Sequence, residues 1–367
     1  MKKRTTLLGA IIIASIAFIT YLPALKIQFY DGWWYLIWSA SMDLPRFLVQ
    51  FLDPSNITQG YRPVQGIYMY LLYHLFGFNP DGYHLAHNLL NAANAVLLFL
   101  LVGRLAHNQR LAFVAACFYA VFPNYSLAVF WHAVVDPLAG FFYLLTMLLW
   151  TRFLDTRRRS DYVFAFLAFV LALLSKEIAI FLPLFLFLIE WWFYREKPNW
   201  RVDVPRYLPF LLTFVPYLYQ VYQVQSHGEF TGQFGFKIGP HMLNNLIPYL
   251  AVLAFPWTTE LPTQALIFIW LAIAAVVYIG IMVYKKSTAP LFLGLFAVLN
   301  ISPLLGFPLD YFNTRYLYLP TATSAVVLAM LAELGWRYLG TRRVSAIVGV
   351  AVVAGVLLSS AQVADAA

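Results

Sequence analysis

Charged residues are scarce in this chain. Of its 367 residues only 11% are Asp, Glu, Lys or Arg, whereas 62% are hydrophobic. A water-soluble domain covers itself with polar side chains, and this composition cannot do so. Its apolar runs recur at lengths of about 20 residues, enough for a helix to cross a bilayer. Backbone groups must be paired inside the bilayer, and the short alternating segments of a barrel are absent. The sequence therefore predicts an all-α polytopic membrane protein.

Cysteine and the familiar nucleotide-binding motifs are also lacking. The single cysteine, Cys117, lies in an apolar run and cannot form an internal disulfide, so it indicates no redox compartment. The sequence contains no Walker loop, no dinucleotide-binding glycine pattern and no G-x-S-x-G elbow. No soluble domain with a basic face is visible, so we expect no nucleic-acid partner.

Basic residues divide the apolar sequence into about eleven predicted spans. The N-terminal run follows "MKKR" and has no small-x-small cleavage site, which favours an uncleaved span over a signal peptide. The predicted spans lie near 5–23, 83–103, 111–123, 133–151, 162–175, 178–194, 207–224, 264–284, 288–302, 319–336 and 344–362.

The distribution of basic residues predicts the orientation of these spans. If the N-terminus is cytoplasmic, 18 of the 24 Lys and Arg residues fall inside, as the positive-inside rule requires. In a prokaryote this would be a plasma (inner) membrane protein. Two further apolar stretches, 61–77 and 241–257, would break the alternation, so we interpret them as outer-surface or re-entrant helices. The chain is then one membrane domain, 1–367, with outer loops at 24–82 and 225–263.

Three cations on the predicted outer face stand among polar and aromatic residues. Arg62 lies in "QGYRPVQG", Lys176 in "LLSKEIAIFLP" and Arg315 in "LDYFNTRYLYLP". Such cations often anchor helices to lipid headgroups. Three of them on the face that the positive-inside rule disfavours predict a bound anion. The other outer cations are Lys26, Arg46 and Lys237.

Two acids on the same face are candidates for chemistry. Asp31 follows the first span in "KIQFYDGWWYLIW", and Asp136 lies at the lip of a span in "WHAVVDPLAG". An acid at the edge of a bilayer is costly unless it has a use. The other acids have simpler interpretations: Asp43 and Asp53 solvated, Asp310 paired with Arg315, and Glu177 neutralising Lys176.

Histidines offer a weaker signal. His84 and His87 are three residues apart and share a helix face, and His132 is one helical turn from Asp136. A metal site would need a further ligand, so structural or substrate hydrogen bonds are favoured while a divalent metal stays open.

The order of these motifs resembles the membrane O-mannosyltransferases that carry tetratricopeptide repeats, within the C-type (GT-C) glycosyltransferase superfamily. The likeness covers roughly 25–195 and 300–325. It comprises the acid after span one, "YRP" before an aromatic helix, "GYHLAHNLLN" opening a span, "LLSKE" between spans and "RYLYLP" opening a late one.

The resemblance implies an inverting glycosyltransferase that uses a polyprenyl-phosphate sugar, with mannose as the first candidate, and a protein or glycan acceptor on the outer or lumenal face. Asp31 matches the implied general base. The implied donor-phosphate ligands are Arg315, Lys176 and Arg62. The remaining candidates for substrate binding are Asp136, His84, His87, Tyr61, Glu177 and Tyr316.

Three departures separate this sequence from the family. Gly32 stands where a second acid is usual, and the turn "FPNYSLAV" (122–129) lacks the usual histidines and glutamate. No repeats follow within the given sequence, so the chain is either a repeat-free relative or the membrane part of a longer protein. A transporter or flippase for lipid-linked sugars is an alternative, but it would place ionisable groups and broken helices near mid-membrane. A glycan ligase or polymerase also remains open.

Overall fold

The computed structural model describes residues 2–28, 32–56, 60–194, 197–227, 237–258, 263–285, 288–307 and 313–366. All regular structure in these residues is helical, which confirms the predicted fold class. The α-helices are α1 (Lys2–Thr20), α2 (Trp33–Ser41), α3 (Leu44–Leu52), α4 (Pro63–Phe76), α5 (Pro80–Ala106), α6 (Gln109–Val121), α7 (Ser126–Phe130), α8 (Asp136–Thr156), α9 (Arg159–Ser175), α10 (Leu182–Leu188), α11 (Trp200–Leu212), α12 (Phe214–His227), α13 (His241–Ala254), α14 (Gln264–Lys285), α15 (Ala289–Ile301), α16 (Thr321–Tyr338) and α17 (Thr341–Asp365).

Several helices are suited to a bilayer. Within the described ranges, four are long and apolar enough to cross it, namely α5, α8, α14 and α17. A fifth span results if α6 and the segment 123–130, which meet at 50°, count as one. Shorter apolar helices occupy Arg4–Thr20 and Ala289–Leu304. The protein is therefore an integral membrane protein, whereas the count of about eleven spans stays a prediction.

The core of the bundle is built around α6. Its residues from Leu111 to Val121 are almost all buried, and α1, α5, α16 and α17 pack on it. Alanines such as Ala112 and Ala116 let neighbouring helices approach closely, as small residues do in membrane bundles. On the outer helices α14 and α17, large apolar side chains such as Ile273 and Val350 stay exposed, which fits contact with hydrocarbon.

A second, smaller cluster ties α2, α3 and α4 together. Aromatic and aliphatic side chains from the three helices, among them Tyr35, Phe51 and Tyr70, pack against one another. Helix α3 buries one face and exposes its ends: Asp43 accepts a hydrogen bond from the Arg46 backbone N–H, and Asp53 accepts one from Ser55. Both acids are exposed, as predicted.

Three local predictions need correction. The span near 207–224 is two helices, α11 and α12, with the break at Thr213, because prolines in this stretch remove backbone donors. The span near 178–194 combines a 3-10 turn, α10 and a π-helical turn. His132 lies in a turn before α8, so it does not share a helix with Asp136.

Candidate active site

One cavity of about 610 Å³ collects the three cations predicted to bind an anion. Arg62 enters from the start of α4, Lys176 from the junction after α9, and Arg315 from the 3-10 turn Thr314–Leu317. Asp136, the first residue of α8, joins them. Aromatic side chains form much of the remaining wall: Trp34, Tyr35, Trp38, Phe51, Trp131 and Tyr316. Residues far apart in the sequence thus converge on one polar, aromatic-lined space.

Lys176 and Asp136 form a buried ion pair. The Lys176 side chain is 2% exposed, and its ammonium contacts the Asp136 carboxylate. The geometry follows from the helix ends, because α9 stops at Ser175 and Lys176 is extended, which directs it toward the start of α8. The ammonium also lies 5.0 Å from the ring centroid of Tyr316. The prediction that Glu177 neutralises Lys176 is therefore wrong.

Glu177 instead pairs with Arg62. Two guanidinium nitrogens of Arg62 donate to the Glu177 carboxylate at 2.8–3.1 Å, and both side chains are about a third exposed. Burial alone would raise the pKa of the Glu177 carboxyl, but Arg62 and then Lys176 hold that pKa below its usual range. The pair joins the start of α4 to the loop after α9.

A second contact from α4 holds the other wall. The Gln65 amide donates to the carbonyl of Ala133 at 2.7 Å. This hydrogen bond joins the first turn of α4 to the loop before α8. Pro63 occupies the first turn of α4, where proline suits a helix because the backbone donor it lacks has no partner there.

Among the described residues, aromatic rings and not an acid hold Arg315. Its guanidinium carbon lies 4.4 Å from the ring centroid of Trp131 and 4.8 Å from that of Tyr316. A guanidinium nitrogen of Arg315 donates to the Tyr316 hydroxyl at 3.0 Å. Its Nε is buried without a hydrogen-bond partner in the described ranges. Among those residues, Asp136 pairs with Lys176 and Glu177 pairs with Arg62, while Arg315 has no acidic partner.

Asp31 and its neighbour Tyr30 lie outside the described residues, whereas Gly32 is described. Gly32 has a φ of +82°, and a Cβ there would come within 2.6 Å of the Ala133 Cβ. In this backbone an acid at position 32 would therefore be strained and would clash with Ala133. Gly32 is also the N-cap of α2. Trp34 and Trp38 of α2 line the cavity, while Trp33 is exposed.

The remaining predicted residues lie elsewhere. His84 and His87 are buried in α5. The ring centroids of His84 and His132 are 6.0 Å apart, and those of His87 and Tyr68 are 5.7 Å apart. Within the described part of the chain, no three His, Cys, Asp or Glu side chains are grouped to hold a metal. Tyr61 packs near Tyr217 rather than lining the cavity, and Asp310 lies outside the described residues.

Sequence reasoning missed two features of this cavity. Trp131 and Gln65 both contribute to it, yet each stands in a motif that had been singled out for another residue. Arginine stacks on aromatic faces, but the arginine that stacks on Trp131 is Arg315, far away along the chain, so no signal in the sequence indicated this contact. The amide of Gln65 gave no signal either.

The chain matches the family model of dolichyl-phosphate-mannose-protein mannosyltransferases over residues 62–219, somewhat less than half its length. The matched segment contains Arg62, Asp136, Lys176 and Glu177, whereas Asp31 and Arg315 lie outside it. None of the curated proteins matches the chain significantly.

The apolar helices and the matched segment together define a membrane-embedded glycosyltransferase. Within that class, the segment is similar to the GT-C mannosyltransferases, whose family is described as dependent on dolichyl-phosphate mannose. The narrower likeness to the repeat-bearing enzymes stays a prediction.

Proposed function

We propose that this enzyme moves a sugar, with mannose as the first candidate, from a polyprenyl-phosphate donor to an acceptor hydroxyl on the outer or lumenal face. The observation that carries the proposal is the convergence of Arg62, Lys176 and Arg315 on one aromatic-lined cavity. Among the described residues Arg315 has no acidic partner, so its guanidinium can donate to the oxygens of a phosphodiester. The acceptor is either a protein or a glycan.

In this proposal, the acceptor oxygen attacks the anomeric carbon of the sugar from the face opposite the phosphate, so the configuration inverts. The new C–O bond forms as the bond from that carbon to the phosphate oxygen breaks, and the electron pair leaves with the phosphate. Charge grows on the phosphate during this step, and fixed cations stabilise it. Arg315 has forked donors for phosphate oxygens, while Lys176 acts as a point charge.

Asp31 takes the acceptor proton in this mechanism. A general base must accept that proton as attack proceeds, and Asp31 directly precedes Gly32, which lies so close to Ala133 of the cavity wall that a side chain there would clash with it. Trp34 and Trp38 present aromatic surface on which a sugar can stack.

Removal of the Arg315 side chain tests donor binding. Arg315→Ala should weaken binding of a polyprenyl-phosphate mannose by about tenfold to a hundredfold, the value of losing one or two charge-assisted hydrogen bonds. The matched control is Arg46→Ala, because Arg46 is an exposed cation of α3 that does not line the cavity. Fluorescence titration of purified protein measures both. Wild-type affinity in Arg315→Ala would refute the assignment of the phosphate site.

The same proposal places the cavity on the outer face. With a cytoplasmic N-terminus and about eleven spans, positions near Asn108, Ser160 and Asn199 are inside, and positions near Thr58 and Glu229, which lie outside the described residues, face out. The elements that bring the three cations to the cavity then all begin or end on the outer side.

Cysteine labelling checks this topology. In a Cys117→Ala background, Asn199→Cys should resist a membrane-impermeant maleimide in intact cells and react after permeabilisation. Glu229→Cys should react in both conditions and serves as the accessible control. Labelling of position 199 in intact cells would overturn the orientation.

A further inference from the structure

A small hydrogen-bond network lies deeper in the bundle than the cavity. Asn94 of α5 donates one amide hydrogen to the Pro137 carbonyl at 2.8 Å and the other to the Tyr318 hydroxyl at 2.7 Å. Tyr318 in turn donates to the Asn91 side-chain oxygen at 3.0 Å. Asn91 and Asn94 are fully buried and Tyr318 is 1% exposed. Apolar side chains could fill this space without hydrogen-bond partners, whereas each buried polar group requires one. The presence of three polar side chains here therefore needs an explanation.

The network connects two parts of the candidate active site. Pro137 directly follows Asp136, the partner of Lys176. Tyr318 follows Arg315 by three residues, and its backbone N–H donates to the Arg315 carbonyl at 3.0 Å. Asn94 therefore stands between the segment that carries Arg315 and the segment that carries Asp136.

Gly140 makes this arrangement sterically possible. A Cβ at Gly140 would lie 2.9 Å from the Tyr318 ring and 3.4 Å from the Asn94 amide. The ring can therefore cross the first turns of α8 and reach Asn94.

We propose that Asn94 and Tyr318 are positioning residues that set the spacing between Arg315 and the Lys176–Asp136 pair. This inference rests on the proposed function, because it assumes that Arg315 binds the donor phosphate. Polar side chains also join helices in membranes for stability alone. The two roles differ in how they depend on Arg315. If the contact only stabilises the fold, its loss changes donor binding to the same extent whether or not Arg315 is present. If the contact positions Arg315, its loss changes donor binding only when Arg315 is present.

A double-mutant cycle separates the roles. Tyr318→Phe removes the hydroxyl and keeps the ring, and it should weaken binding of a fluorescent polyprenyl-phosphate mannose by at least about fivefold, within the range of coupled neighbours. In an Arg315→Ala background, the same substitution should change the affinity by less than about twofold, because the group being positioned is gone.

Tyr21→Phe is the matched control for losing a buried hydroxyl. Tyr21 is fully buried and donates to the Phe122 carbonyl at 3.1 Å, away from the cavity. It should leave donor affinity unchanged, and thermal melting of all variants reports any general loss of stability.

The outcomes distinguish this inference from the proposed function. Unchanged donor binding in Arg315→Ala would overturn the proposed phosphate site. If Arg315→Ala weakens binding but Tyr318→Phe either binds normally or weakens binding equally in both backgrounds, the positioning role is wrong while the phosphate site stands.

Discussion

Asp31→Asn is expected to lower the transfer rate by at least about a hundredfold, the usual contribution of a general base. Asparagine has nearly the same shape as aspartate but cannot accept the proton of the acceptor hydroxyl. The protein should remain folded, inserted and able to bind its donor, so the loss should appear in the rate of transfer. Single-turnover transfer with donor bound in advance measures this rate.

Asp43→Asn provides the matched control. Asp43 is an exposed acid that caps α3, and asparagine caps helices about as well as aspartate. This variant should therefore transfer normally. Near-normal transfer by Asp31→Asn would contradict the assignment of the base. Asp136, which lines the same cavity, would be the next candidate.

Lys176→Met is expected to destabilise the protein by about 3–5 kcal/mol, because it leaves the Asp136 carboxylate buried without a partner. Both side chains are nearly inaccessible to water, so solvent cannot replace the lost ammonium. The free energy of unfolding, or the thermal midpoint in a fixed detergent, reports the change.

The double variant Lys176→Met with Asp136→Asn separates stability from function. Replacing a whole buried ion pair by uncharged residues costs less than leaving one charge buried alone, and well-packed hydrophobic replacements are often nearly neutral for stability. We therefore expect stability to recover while donor binding and transfer stay low, because the phosphate loses a nearby cation. Recovery of both stability and transfer would show that the ion pair is structural only.

The sequence predicted which segments form the candidate active site but paired two of its charges wrongly. The motifs around Arg62, Lys176, Asp136 and Arg315 were each identified, and all four residues line one cavity. Adjacency in sequence favoured a Lys176–Glu177 contact. In the structure the chain turns from α9 into a 3-10 helix at this point, so the two neighbouring side chains point to partners far away in sequence.

The positions of most helices could also be predicted from the sequence. The lengths of the apolar runs and the basic residues between them located these helices, because burial in hydrocarbon imposes a strong and simple pattern. Breaks inside apolar runs left weaker signals. The separation of α11 from α12 depends on prolines that a membrane helix can also tolerate, so the sequence alone did not distinguish a kink from two helices.

The position of the donor phosphate is the central element of the proposed function, and an experimental structure with a non-reactive polyprenyl-phosphonate sugar tests it most directly. The protein has a second cavity of about 610 Å³, lined mainly by apolar residues and including Asn108 and Glu333, which offers a clear alternative. We expect the phosphonate in the first cavity, in hydrogen-bond contact with Arg315 and with the sugar against Trp34 or Trp38. A phosphonate bound in the second cavity, or away from Arg315, would show that the proposed donor site is wrong.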